Sequence, residues 1–229
     1  RSRGIEQAVE DSSGNAGASF AAYAVRAGIK ATIFIPDSAS GPKRAQIESY
    51  GVDIVCVPGP RSNSTEAVLR EAEEGGVYAS HVYLPFGMSG YATIAYELYE
   101  QMGEAPGSVV CPVGQGGLVL GLFRGFKALL SGGLILRMPE LIGVQVRPCA
   151  PLWAVSLYGQ AGLSWVSEGQ TIAEGIRISQ PVRGDSVLRA IEDSAGGFHA
   201  VDEDEILPAR DQLARRGFYV EPTSAVVWP

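Results

Sequence analysis

Two stretches of this 229-residue chain have residue types and spacing suited to holding an anion. The first is Pro112-Val113-Gly114-Gln115-Gly116-Gly117-Leu118, which follows the apolar run Val109-Val110-Cys111. It reads as a buried strand that ends in a glycine-rich loop and opens a helix. Glycines let a backbone turn tightly and approach a ligand. A helix start adds N–H groups without an intrahelical partner and the positive end of the dipole. Together they suit a phosphate. The spacing is not Gly-x-Gly-x-x-Gly, because position 119 is Val119, and no Gly-Lys-Ser/Thr follows. That disfavours a dinucleotide or a nucleoside triphosphate and leaves a single small phosphate. Taken alone, the loop is equally well a turn that lets a helix pack close to a strand.

The second stretch, Ser12-Ser13-Gly14-Asn15-Ala16-Gly17, also lies between a strand and a helix start. Two hydroxyls and a run of exposed backbone N–H groups suit a carboxylate. Asn15 offers both a donor and an acceptor to a ring substituent. Taken singly it reads as a capped helix start with packing glycines. Two such cradles in one chain, one for a phosphate and one for a carboxylate, are harder to reduce to packing.

The elements that must position these loops alternate. Strands are expected at Gln7 to Glu10, Ala31 to Ile35 and Ile54 to Val57. Helices are expected at Ala16 to Ala27, Pro42 to Tyr50, Ser64 to Glu74 and Gly90 to Met102. A linker at residues 103–107 precedes a second unit. That unit has strands from Ser108, at Leu141 to Val146, at His199 to Val201 and at Phe218 to Val220. Its helices run to Leu130, over Pro151 to Tyr158 and Ser186 to Ser194, and from the acidic run Asp202 to Glu205. A last helix starts at Thr223. This rhythm predicts an α/β protein with parallel sheets covered by helices, divided into a smaller unit at residues 1–103 and a larger one at 108–229.

Composition narrows the partners. A net charge of −7 argues against nucleic acid or an anionic membrane. No apolar run reaches spanning length. Cys56, Cys111 and Cys149 are odd in number and far apart, and the first two lie in apolar strand-like runs. They read as reduced core thiols of a cytoplasmic protein, not as a disulfide frame or a metal site. His81 and His199 have no matched nucleophile or metal partner in the sequence and read as structural or surface residues. Tyr83, Phe86 and Tyr91 are candidates either for a substrate pocket or for core packing.

The Ser12–Gly17 stretch resembles the substrate loop of the fold-type II pyridoxal-phosphate enzymes. This tryptophan synthase β-like superfamily includes threonine synthases and serine/threonine dehydratases. Pro112 to Leu118 resembles its phosphate loop, and Gly90 to Leu98 the helix before that loop. Thr171-Ile172-Ala173-Glu174-Gly175-Ile176 and Gly217-Phe218-Tyr219-Val220-Glu221-Pro222-Thr223-Ser224-Ala225 resemble later segments near the cofactor. The order and spacing match over nearly the whole chain. The resemblance implies two three-layer αβα units and pyridoxal 5'-phosphate as cofactor. It implies β/γ-elimination or replacement on a small amino acid, usually by a homodimer. It assigns the cofactor phosphate to backbone N–H groups of Gly114, Gln115, Gly116, Gly117 and Leu118, and the ring 3'-oxygen to Asn15. Gly175 and Glu221 would lie near the pyridine ring. Ser12, Ser13, Gly14 and Ala16 would receive the substrate.

The family's Schiff-base lysine sits upstream of the Ser-Gly-Asn loop, and Lys30, Lys43 and Lys127 are the chain's lysines. None occupies that position, and all three read as surface residues. A hydroxyl-bearing terminal segment of the family is likewise not matched. The expectation is therefore a fragment, inactive alone, of an enzyme whose catalytic lysine lies outside these residues. Two alternatives come from other classes. One is a non-catalytic domain that binds a phosphorylated small molecule or an amino acid. The other is a nucleotide-binding domain, for which the fingerprint and an acidic ribose ligand are not evident.

Overall fold

The computed structural model describes residues 4–39, 41–59, 61–83, 86–167 and 169–229. The chain divides into two compact units, Arg1–Leu84 and Pro85–Pro229.

The first unit runs β1 (Gln7–Glu10), α1 (Asn15–Ala27), β2 (Lys30–Pro36), α2 (Pro42–Ser49), β3 (Asp53–Val57), α3 (Arg61–Glu73) and β4 (Val77–Tyr78). Its strands lie in the order β3-β2-β1-β4, each adjacent pair parallel. Alternation along β2 sends Ile33 and Ile35 to one face, where they meet Ala18 and Ala21 of α1 and Ile47 of α2. Phe34 points to the other face and packs with Val9 and Val68 of α3. Both faces of the sheet are covered. β3 is at an edge, and Cys56 on it is exposed, which corrects the expectation of a core thiol.

The second unit contains α4 (Gly87–Met102), β5 (Ser108–Pro112), α5 (Gly117–Ser131), β6 (Glu140–Val146) and α6 (Pro151–Tyr158). Two 3-10 turns follow, at Gly159–Trp165 and Glu174–Ile176. The chain then continues through α7 (Gly184–Asp193), β7 (Gly197–Val201), α8 (Glu203–Arg215) and α9 (Pro222–Ala225). The sheet order is β5-β6-β7, all parallel. On the central strand β6, Leu141 belongs to a core with α5 and α7 residues such as Phe126 and Val187. Val144 and Val146 face the other way, onto Ile206 of α8 and Val226 beyond α9.

Three expectations need correction. Helix α4, assigned by the sequence to the first unit, packs on α5 in the second. A Cβ on Gly121 would lie 2.2 Å from Tyr91 Cβ, and one on Gly125 would lie 2.5 Å from the Ala92 carbonyl oxygen. Two glycines spaced by one turn thus let the helices approach closely. Phe218 to Val220 is not a strand. Gly217 turns left-handed at φ +90°, and the Phe218 N–H donates back to Leu213 O at 2.9 Å, ending α8. Its neighbour Tyr219 is exposed. The two-residue strand β4 was not anticipated, because Gly75-Gly76 before it reads only as loop.

Candidate functional site

In the first unit the expected carboxylate loop sits at the C-terminal end of β1, where ligands of parallel sheets bind. Ser12 is buried, and its Oγ accepts the Gly14 N–H at 3.3 Å, folding the loop on itself. Gly14 caps α1 in an extended conformation, and Ala18 N–H donates to its carbonyl at 3.1 Å. Asn15 is exposed at the first helical position. Gly17 is needed for close packing, since a Cβ there would fall 1.8 Å from the Ser12 carbonyl oxygen. Ser12, Ser13, Gly14, Asn15 and Ala16 are thus gathered on one strand-to-helix turn.

Beneath this loop lies polar machinery that sequence reasoning missed. Asp11 is buried, and its carboxylate accepts Thr65 Oγ1–H from α3 and Tyr78 O–H from β4, each at 2.7 Å. Arg61 adds an ion pair at 3.7 Å. Glu10, also buried, lies 2.7 Å from His81 Nδ1 through one oxygen, while its Oε2 has no hydrogen-bond partner among the described residues. Burial pushes the Glu10 carboxyl above its ordinary range, and the bond and charge of His81 pull against that. Burial is also the first cause that raises the Tyr78 hydroxyl, ahead of the adjacent Asp11. The signal in the sequence was two acids closing an apolar strand. His81, read as unpartnered, has Glu10 as its partner.

In the second unit the expected phosphate loop links β5 to α5. Gly114 and Gly116 are buried. Gly116 is left-handed at φ +82°, and a Cβ on it would lie 2.1 Å from Val187 Cγ2. A Cβ on Gly114 would lie 3.0 Å from the Gly175 carbonyl oxygen. Helix α5 makes its first bond from Leu120 N–H to Gly116 O at 3.0 Å, so the N–H groups of Gly117, Leu118 and Val119 lie in a first turn that offers no internal acceptor. The Tyr91 ring packs on this turn, 3.3 Å from where a Gly117 Cβ would be. Gln115 points away from the cradle, with Oε1 accepting Val182 N–H at 3.0 Å.

The later segments converge here. Gly175 N–H donates to Thr223 Oγ1 at 3.2 Å, which brings the Glu174–Ile176 turn to the start of α9, whose N-cap is Glu221. Gly114, Gly175 and Glu221 are thereby tied into one neighbourhood, while Glu174 is exposed. Gln145, fully buried on β6, braces the loop from behind. Its Nε2–H donates to Val113 O at 3.1 Å, and its Oε1 accepts Leu152 and Trp153 N–H at 2.9 and 3.0 Å. The residues fit a phosphate, because side chains are sterically excluded where the loop must be bare and helical N–H groups are presented beside it.

The pyridoxal-phosphate dependent enzyme family model matches residues 1–228. The chain belongs to that family. Its cofactor is pyridoxal phosphate. The threonine synthase of Methanocaldococcus jannaschii is 34% identical over 226 residues, which cover 97% of this chain and 56% of that enzyme. The threonine synthase of Synechocystis sp. is 33% identical, with 97% and 56% covered. The chain therefore spans little more than half the length of these relatives. Among solved structures, maize serine racemase superposes with a TM-score of 0.82 at 25% identity, covering 98% of this chain and 65% of that one. The T.th. threonine deaminase superposes at 0.79 and 26% identity, covering 97% and 70%. The α/β, parallel-sheet architecture agrees with these neighbours.

The two lysines whose side chains are described, Lys30 and Lys127, lie away from the loops of their own units. Lys30 begins β2, at the end of the sheet opposite the Ser12 loop, and pairs with Asp53 at 3.6 Å. Lys127 stands over the Phe123 ring at 5.4 Å, ten residues past Gly117 and so about 15 Å along α5. The Lys43 side chain lies outside the described residues. Among the described residues there is no group of three or more His, Cys, Asp or Glu side chains able to hold a metal. No described helix is long and apolar enough to cross a membrane.

Proposed function

We propose that the protein catalyses pyridoxal-phosphate-dependent elimination or replacement at the β or γ carbon of a small amino acid, as a threonine synthase or a serine/threonine dehydratase does. The observation that carries this reading is the cradle at Gly114–Leu118, where two buried glycines are held bare by Gly175 and Val187 at a helix start. The family match and the threonine synthase relatives support it. When bound, pyridoxal phosphate supplies an electron sink for charge developing at the substrate α-carbon.

The chain's residues do the holding. Backbone N–H groups of Gly114, Gln115, Gly116, Gly117 and Leu118 bind the phosphate through charge-assisted hydrogen bonds and the α5 dipole. Asn15 donates to the ring 3'-oxygen. The hydroxyls of Ser12 and Ser13, with backbone N–H groups from Gly14 to Ala16, bind the amino-acid carboxylate. Gly175 and Glu221 flank the pyridine ring, with Gly175 kept bare by Thr223, whose Oγ1 would lie 3.0 Å from an added Cβ. The lysine that joins the cofactor comes from outside residues 1–229, and these residues alone are inactive. The positions of Lys30 and Lys127 support that view. A cytoplasmic homodimer fits the family and three cysteines that form no disulfide.

The test compares the full-length gene product with residues 1–229, each mixed with pyridoxal phosphate, reduced with borohydride and peptide-mapped. The expected label falls on a lysine other than Lys30, Lys43 or Lys127, and only in the full-length protein, which also eliminates or replaces the β-hydroxyl of L-serine or L-threonine or the γ leaving group of a homoserine ester. A label on one of those three lysines in the 229-residue chain sinks the assignment. Light scattering of the full-length protein checks the dimer.

A further inference from the structure

We propose that Asp11 is a positioning residue for substrate recognition, holding the Ser12–Ala16 loop in carboxylate-binding form through hydrogen bonds to Thr65 and Tyr78. The inference rests on the reading that this loop takes the amino-acid carboxylate. Asp11 is the residue before Ser12, and its side chain is only 5% exposed. It faces α3 and β4, accepting Thr65 Oγ1–H and Tyr78 O–H on separate oxygens at 2.7 Å each. Arg61, at 3.7 Å, supplies the countercharge.

A buried carboxylate with both oxygens engaged fixes the backbone that follows it. The next residue, Ser12, uses its Oγ to set the Gly14 N–H and places its carbonyl against Gly17. The order of dependence is therefore Thr65 and Tyr78, then Asp11, then Ser12 to Gly14. A loose loop would still contain every binding group, but it would have to be ordered each time a substrate arrives. That cost falls on substrate affinity and not on the step after binding. Glu10 and His81 form a second pair one residue back, at 2.7 Å.

The experiment uses full-length holoenzyme with L-serine as probe, reading KM and kcat, melting temperature, and hydrogen exchange of the peptide spanning residues 10–18 as L-serine is added. Asp11→Ala is expected to raise KM and the half-protecting L-serine concentration about tenfold or more, with kcat changed by less than about threefold. Asp11→Asn keeps an acceptor for Tyr78, and its amide donates to the Thr65 hydroxyl, so KM should return to within about threefold of wild type. Ser12→Ala is the control for the loop itself. If it raises KM while Asp11→Ala leaves KM within about twofold of wild type, the anchor is refuted and the loop assignment stands. If neither moves KM, the carboxylate assignment itself fails. If Asp11→Asn is as damaging as Asp11→Ala, anchoring by hydrogen bonds is refuted. A lowered melting temperature and active fraction with unchanged KM would mean a role in folding alone, and also overturns the proposal. Should Asp11→Ala not fold, Thr65→Val and Tyr78→Phe decide: each is expected to raise KM about threefold or more, and unchanged KM in both overturns it.

Discussion

Replacing Gly116 by alanine should damage the proposed phosphate loop through two separable costs. The residue sits at φ +82°, and the added Cβ would lie 2.1 Å from Val187 Cγ2 and 3.4 Å from Val187 Cβ. The left-handed conformation costs an L-residue about 1–2 kcal/mol. Carbon atoms pack at about 3.5–4.0 Å, so Val187 must retreat by more than about 1 Å. It is fully buried on α7 and surrounded by core, so overpacking adds about 1–3 kcal/mol. The total is about 2–5 kcal/mol, enough to unfold a marginal unit or displace the loop. Val187→Ala alone should cost about 1–3 kcal/mol through the vacated volume. In the double variant the new methyl enters that volume, so the overpacking share disappears and the left-handed share remains. The two changes should therefore couple favourably by about 1–3 kcal/mol. Urea unfolding followed by tryptophan fluorescence isolates the effect, because all three tryptophans, Trp153, Trp165 and Trp228, lie in the second unit. A Gly116→Ala variant within about 0.5 kcal/mol of wild type, or a double variant equal to the sum of its parts, would refute the argument.

Gln145→Leu removes three hydrogen bonds and leaves the Val113 carbonyl and the Leu152 N–H without their partner in the core, so the same fluorescence assay should show a loss of about 2–5 kcal/mol. Glu10 has a carboxyl raised above its ordinary value of 4.5, mainly by burial. Above that value the native state keeps a proton that the unfolded chain has released, so stability should fall as pH rises from 4.5 through the raised value. Glu10→Gln should flatten this slope, read as hydrogen exchange of β1 amides against pH; an equal slope in both proteins would exclude Glu10 as its source. In a thiol titration with a disulfide reagent, exposed Cys56 should react in the native protein. Cys111, whose thiol burial pushes to about 12, and buried Cys149 should react only after denaturation.

The loops were legible because glycine carries its own explanation. Gly14, Gly17, Gly114 and Gly116 stand where a strand turns into a helix, and the sequence around each is strand-like before and helix-like after. What would strike an added Cβ was not legible, since Val187 is 71 positions from Gly116 and Gly175 is 61 from Gly114. The anchors were hidden for the same reason. Asp11 meets Thr65 and Tyr78 only because β1 lies beside β4 under α3, and β4 is a two-residue strand with no periodicity to announce it. Gln145 is the polar residue of the strand-like run Leu141 to Val146, and its bond to Val113 becomes evident only when β6 lies beside β5. The exposed edge position of β3 misled in the opposite sense: an apolar run around Cys56 is compatible with either a central or an edge strand.

The two units solve one problem with opposite means. On the proposed reading, each holds a strand-to-helix turn open and rigid enough to receive an anion. In the second unit the loop is fixed largely by exclusion, with Val187, Tyr91 and the Gly175 backbone occupying the space any side chain would need, and with neutral Gln145 bracing it from behind. A negative charge beside a phosphate cradle would oppose its ligand, and the anchors that touch this loop carry none. In the first unit the loop follows a buried carboxylate, Asp11, whose oxygens are engaged by Thr65, Tyr78 and Arg61. That arrangement tolerates an acid one residue from a proposed carboxylate site only while those donors are in place. Loss of the Tyr78 or Thr65 hydroxyl should therefore harm binding of an anion more than binding of an uncharged analogue of the same size. An apolar brace such as Val187 has no counterpart of that charge selectivity.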